Sequence, residues 1–247
     1  MFFTIFYPDK TLTGLSYSFN YQDEITAFAA DDTIKIRCGK KVQAMSSHYD
    51  HNSGRHVMGQ QILQFGIASL KGFLPLMSQI YVGQTRRTER SKAFNDQRSA
   101  LARSYHRAHQ LNKHQMLSHM LKKALSYGFY SRYLIADSWF GCKDNVRLAL
   151  DCDLTAIFMM KRNGTKYRYL GELYTLKGLY RLFRKNMKKL PGKGYSYFSI
   201  VAEYNLSNKD ENWQTVKLIF SRAPKSPKNS WVVLLWTAFE LEDEKIY

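Results

Sequence analysis

The stretch Tyr133-Leu134-Ile135-Ala136-Asp137-Ser138-Trp139-Phe140-Gly141 decides the reading of this chain. Four apolar or aromatic residues form a short buried strand, and the run stops abruptly on a carboxylate. Residues 143–150 follow with helical spacing, and the apolar run at 154–160 reads as a second strand. Strand, helix and strand in this order make a βαβ unit, and ligands of open α/β sheets bind beyond the strand ends. Asp137 stands at such an end. An isolated Asp in this position is ordinarily a turn or cap residue, so its chemistry has to be argued from the rest of the chain.

Upstream, residues 25–30 form another apolar run, which halts at Asp31-Asp32-Thr33. Residues 41–48 and 57–67 are rich in strand-forming residues and are separated by the turn-like Asn52-Ser53-Gly54. Residues 73–82 add a strand whose Pro75 places its start at a sheet edge. The period then changes. Met116, Leu117, Met120, Leu121, Ala124 and Leu125 mark a helix over 113–127, with Gly128 as its stop. Strands, helix, strand, helix, strand is the order of the ribonuclease H-like fold, in which the first and fourth strands are neighbours. The fold class expected is therefore α/β: a ribonuclease H-like core, a mixed sheet flanked by helices, followed by a β-rich insertion.

That insertion begins after residue 161. Residues 175–190 read as one amphipathic helix, with Leu176, Leu179, Tyr180, Phe183, Met187 and Leu190 on one face and Lys177, Arg181, Arg184, Lys185 and Lys188 opposite. Pro191-Gly192-Lys193-Gly194 ends it. Strands are expected at 195–204, 216–220 and 231–239, with loops at 207–212 and 223–230.

Charge narrows the class of partner. The formal net charge is +17 over 247 residues, and it is concentrated. Residues 86–123 hold ten Lys/Arg against two acids, and residues 161–193 hold eleven against one. Localised basic charge is the footprint of a polyanion, most commonly nucleic acid. Arg86, Arg87, Arg103, Arg107 and Lys113, together with the basic face from Lys177 to Lys188, are the candidate phosphate contacts. Double-stranded DNA is the expected partner. No apolar window approaches the roughly 20 residues a membrane-spanning helix needs, and no membrane partner is expected. Cys38, Cys142 and Cys152 form no CxxC pair and read as reduced thiols of a cytoplasmic protein.

Carboxylates at two strand ends suit two-metal phosphoryl transfer. Mg²⁺ prefers hard oxygen ligands, and paired ions about 3.5–4 Å apart can serve the attacking and leaving oxygens. Asp31 and Asp137 are the candidate catalytic and metal-binding residues, with Mg²⁺ or Mn²⁺ as the cofactor. Asp32 is secondary, because alternation along a strand turns it to the other face. Thr33 and Ser138 read as turn or cap residues. Trp139 is a candidate for stacking on a DNA base, although packing beneath a sheet edge is the more ordinary role of such an aromatic. His48, His51 and His56 with Asp50 lack the paired cysteines of a zinc site and read as structural or surface groups.

Asp31-Asp32-Thr33, Tyr49-Asp50-His51 and above all Ala136-Asp137-Ser138-Trp139-Phe140-Gly141 resemble the DDE-type insertion-sequence transposases. The similarity continues through Met159-Met160-Lys161 and Tyr169-Leu170-Gly171-Glu172-Leu173-Tyr174-Thr175-Leu176, and resumes at residues 231–236. It is nearest the subgroup whose third carboxylate lies in a Tyr-Arg-Glu-Lys helix. The resemblance implies that Asp31 and Asp137 are the first two catalytic carboxylates. It also implies DNA cleavage and strand transfer with Mg²⁺, element ends and target DNA as partners, self-association of the full-length enzyme, and a bacterial, nucleoid-associated location.

On this reading the segments are 1–24, an N-terminal remnant; 25–161, the catalytic core; 162–239, the basic helix and β-rich insertion; and 240–247, the approach to the final catalytic helix. The third carboxylate and that final core helix are expected to be missing, leaving an inactive fragment. Glu240, Glu242, Asp243 and Glu244 are poor substitutes at a fraying end. Two rivals remain: a non-catalytic remnant that binds DNA and interferes with the full-length enzyme, and an unrelated basic RNA-binding protein.

Overall fold

A computed structural model describes residues 25–38, 42, 45–50, 53–83, 98–190, 194–208, 211–227 and 229–238. Arg86, Arg87, His51, the segment 1–24 and the acidic run 240–244 lie outside these residues. The chain divides into two compact units, Met1–Ser131 and Arg132–Tyr247, so the division falls inside the stretch 25–161.

The first unit is organised by one long strand. β3 (Arg55–Ser69) pairs antiparallel with β1 (Ala27–Ile36) along one edge, from Ala27↔Ala68 to Ile36↔Gly59. Its other edge is shared by β2 (Ser46–Asp50) and β4 (Gly72–Tyr81). Pro75, which cannot donate to a ladder, sits in β4 beside a register shift at Phe65/Gly66, the setting that tolerates proline. Helix α1 (Ala100–Ala108) is capped by the Ser99 hydroxyl, and α2 (Lys113–Ser126) by a reciprocal Asn112/Gln115 box. Both pack on β4, and α2 also packs on β3. Met116, Leu117, Met120, Leu121 and Ala124 are buried there, and the rings of Phe28 and Phe65 stack 5.4 Å apart.

Two sequence expectations change in this unit. The first strand does not stop at Asp31 but runs through the aspartates to Ile36. β3 supplies ladder partners for the whole length, Gln64 for Asp31 and Leu63 for Asp32, and this pairing overrides the weak strand preference of Asp. Helix α1 lies in the basic stretch, where its short buried stripe of Ala102, Tyr105 and Ala108 is masked by surrounding charge.

In the second unit, β5 (Tyr133–Ala136) and β6 (Thr155–Met159) are parallel and joined by α3 (Lys143–Asp151). The β-rich stretch continues the same sheet: β12 (Val232–Trp236) pairs antiparallel with β6, then come β11 (Trp213–Arg222), β10 (Ser196–Asn205), β7 (Lys166–Tyr169) and β8 (Glu172–Thr175). Helix α4 (Leu176–Phe183) closes one face over an aromatic cluster, with Tyr180 stacked 4.3 Å from Trp231 and Phe198 4.6 Å from Phe220.

The helix expected over 175–190 ends early. A 3₁₀ turn (Arg184–Asn186) follows it, and Lys188–Lys189 forms β9, paired with β10 through Ser196↔Lys189 and Tyr197↔Lys188. The exposed edge of β10 captures that segment. An antiparallel sheet, then helices and a parallel βαβ unit, is mixed α/β architecture. Among the described residues no helix is long and apolar enough to cross a membrane.

Candidate active site

Adjacent residues of β1 divide their work between two faces. Phe28, Ala30 and Asp32 share the face on which α2 packs, and Asp31 is exposed on the other. The Asp32 carboxylate is fully engaged beneath the helix: Lys113 Nζ lies 2.6 Å from Oδ2, and Gln61 Nε2 donates to Oδ1 at 2.6 Å. The side chain of Lys113 is only 5% exposed and that of Asp32 19%. The Lys113 ammonium also sits 4.9 Å from the centre of the Tyr81 ring. Nearby, buried His48 shares a 2.8 Å hydrogen bond with Ser46 Oγ. Burial, followed by the charge of Lys113, pulls His48 down to about 4. Burial and then the charge of Asp32 raise the Tyr81 hydroxyl above its ordinary range.

Lys113 therefore differs from the solvent-facing phosphate contact expected from sequence. It occupies the first position of α2, on the same stripe as Met116, Leu117 and Met120, and its charge is spent inside the unit. The signal was its helical spacing, which outranks its charge.

Asp137 lies in the second unit, directly after β5 and exposed. Its Oδ1 accepts the Trp139 N–H at 2.9 Å, and its backbone carbonyl accepts the Phe140 N–H at 3.1 Å. The rest of the loop is held as tightly. Phe140 is completely buried, and the buried Asn145 donates from Nδ2 to the Phe140 carbonyl at 2.8 Å. Gly141 approaches β6 so closely that a Cβ would stand 2.0 Å from the Met159 carbonyl oxygen. The backbone presenting Asp137 is thus fixed by packing rather than left as a free turn. Trp139 is half-buried, edge-on to Phe140 at 5.3 Å, with Lys161 Nζ 5.5 Å from its ring centre. Sequence reasoning did not single out Gln61, Asn145, Gly141 or Lys161 for these roles.

The remaining basic candidates separate by exposure. Arg103 and Arg107 are exposed on α1; Lys177, Arg181, Arg184, Lys185 and Lys188 are exposed across α4, the 3₁₀ turn and β9. Other cations of the second basic stretch, exposed or half-buried, are engaged by partners within the unit. Arg168 Nε donates to Glu203 at 2.5 Å and its guanidinium lies 4.1 Å from the Trp213 ring centre; Arg162 lies 5.0 Å from that of Trp231.

Among the described residues no three His, Cys, Asp or Glu side chains are grouped to hold a metal ion. Asp31 and Asp137 nevertheless fit Mg²⁺ in kind. Both are exposed carboxylates, hard oxygen donors, on backbone fixed by a ladder or by a packed loop.

The profile of the DDE superfamily endonucleases matches residues 12–173, about two thirds of the chain and a span that includes both aspartates. The chain belongs to this family. Among solved structures it is similar to the NurA nuclease from Sulfolobus solfataricus, at 10% identity and a TM-score of 0.36, over 96% of this chain and 81% of that one. No curated protein matches it.

Proposed function

We propose that this chain carries the metal-dependent DNA cleavage and strand-transfer chemistry of an insertion-sequence transposase, in the subgroup with the Tyr-Arg-Glu-Lys motif. The observation that carries this reading is that the family span contains both Asp31 and Asp137, each exposed on a backbone that cannot drift. Asp31 and Asp137 would each offer a carboxylate to Mg²⁺ or Mn²⁺, which when bound activates the attacking oxygen and offsets charge on the leaving one. Water attacks a phosphodiester in the first step and releases a 3′-OH. That hydroxyl attacks target DNA in the second, displacing another 3′ oxygen, with no covalent enzyme intermediate.

Asp31 is preferred over Asp32 because Asp32 is already neutralised by Lys113. The exposed cations of α1, and those running from Lys177 to Lys188, hold the phosphate backbone, a sequence-independent contribution to binding. Trp139 and Lys161 are placed beside the Asp137 loop to meet the strand near the cut.

The test is the shift in melting temperature that Mn²⁺ gives the 247-residue chain, with EDTA as the control. A stabilising shift is expected in the unmodified chain, and a smaller one in Asp31→Asn and in Asp137→Asn. Equal shifts in both variants overturn the assignment.

A further inference from the structure

The turn between β7 and β8 departs from the usual chemistry of a two-residue hairpin. The ladder runs from Lys166↔Thr175 to Tyr169↔Glu172, which leaves Leu170 and Gly171 to reverse the chain. Both lie in the left-handed region, at φ 49° and 84°. Such turns select Asn-Gly or Asp-Gly, because a larger side chain enters that region only at a cost. Leu170 recovers none of that cost by burial, since it is 86% exposed. A side chain both strained and bare gains nothing from its own unit.

The surroundings of the turn point to its partner. The Tyr169 ring meets Phe183 edge-on at 5.3 Å, which brings the C-terminal end of α4 beside the turn. Leu182, 54% exposed, and the exposed Arg181, Arg184 and Lys185 belong to that end. Glu172 is the single acid of residues 161–193, against eleven Lys/Arg. An apolar tip in a basic field does not suit a second copy of a chain whose net charge is +17. It does suit duplex DNA, whose phosphates take the cations and whose base steps admit a leucine.

We propose that Leu170 is an apolar wedge that enters a groove of duplex DNA and opens a base step, while the cations at the end of α4 hold the flanking phosphates. The inference rests on the reading of this chain as a protein that acts on DNA, and adds to it a preference for duplexes that unstack easily. Opening a step is costly in a fully paired duplex and least so at a mismatch. A turn residue that is merely tolerated predicts no such preference.

Two duplexes of about 20 bp, identical but for one central mismatch, are titrated with the full chain at low salt, where phosphate contacts are strong. The mismatched duplex is expected to bind at least about threefold tighter. Leu170→Asn keeps a residue suited to the turn but removes the apolar tip, and is expected to lose that preference. Its affinity for the paired duplex should stay within about twofold of the unmodified chain, because the phosphate contacts remain. Leu170→Gly should behave in the same way without a lower melting temperature, and Leu170→Met should keep the preference.

Equal binding of the two duplexes by the unmodified chain overturns the proposal, as does a preference that survives in both Leu170→Asn and Leu170→Gly. Affinity lost alike for both duplexes in these variants makes Leu170 an ordinary contact and overturns it too. Absence of binding to either duplex is a failure of the DNA reading itself, which the wedge does not outlive. Phosphatidylserine vesicles form the remaining arm: if they capture the chain through Leu170 while the duplex preference does not depend on it, the tip is a membrane contact and the proposal falls.

Discussion

Gly141 and the Met159 carbonyl are in a contact that only glycine permits: a Cβ at residue 141 would lie 2.0 Å from that oxygen. This contact ties the loop after β5 to the end of β6, and so fixes the segment that presents Asp137. Gly141→Ala is expected to destabilise the protein by about 3 kcal/mol, as overpacking of a tight site does. For a chain of this size that corresponds to a melting temperature lower by roughly 6–12 °C. Calorimetry showing an unchanged transition would mean that the loop relaxes freely and that its rigidity has been overstated.

Asn145 supports the same loop from α3, donating to the Phe140 carbonyl while 1% exposed. Asn145→Leu removes the donor but keeps the branched outline of the side chain, and should cost at least about 1–2 kcal/mol. Its informative readout is proteolysis within 137–142, which should accelerate relative to cleavage elsewhere. Uniform acceleration along the chain would indicate global loosening instead.

Acid should destabilise the first unit through His48. In the folded chain it stays neutral down to about 4, while in the unfolded chain it takes up a proton near 6.5. Between these values the unfolded state binds more protons, so stability falls as pH drops through that window, by an amount on the order of 2–3 kcal/mol. Lys113, Asp32 and Tyr81 are the charged or titratable groups around it. His119, lowered by burial and by Arg107 and Lys123, works in the same direction. Urea denaturation at pH 7 and pH 4.5 should show the loss, reduced in His48→Gln. An equal loss in that variant assigns the effect elsewhere.

DNA affinity should fall steeply with salt. Replacing Lys177, Arg181, Arg184, Lys185 and Lys188 by Gln should weaken binding to all sequences alike. The slope of log affinity against log salt should flatten by about 0.9 for each phosphate contact removed. A slope that does not change would move the DNA surface away from α4 and β9.

The parts legible in the sequence were those set by local pattern. The apolar run 133–136 ended on a polar residue in a turn, so β5 and the position of Asp137 could be read directly. The stripe of Met116, Leu117 and Met120 gave α2 in the same way. What escaped was decided by distant partners. β1 outlasts its apolar residues because β3 is long enough to pair with Asp31 and Asp32. Lys188 and Lys189 leave the expected helix because β10 offers them an edge. The β7–β8 hairpin turns on Leu170 and Gly171, both at positive φ, and Leu there gives no turn signal of its own. Lys113 is the opposite case: its helical spacing marks it as core, while its charge alone would place it in solvent.

The doublet Asp31-Asp32 also acts as an alignment mark. Sliding β1 by one residue exchanges its two faces. In one direction Thr33 arrives beneath α2, and the ammonium of Lys113 loses its counter-ion. In the other, Asp31 moves under the helix and Ala30 takes the outward position, leaving no carboxylate there. Only one registration gives each face its acid. An insertion or deletion between residues 27 and 31 is therefore penalised twice, once in folding and once in chemistry, whereas point changes at Ala27 or Ala29 are not. Natural variation along this strand should consist of substitutions at constant length.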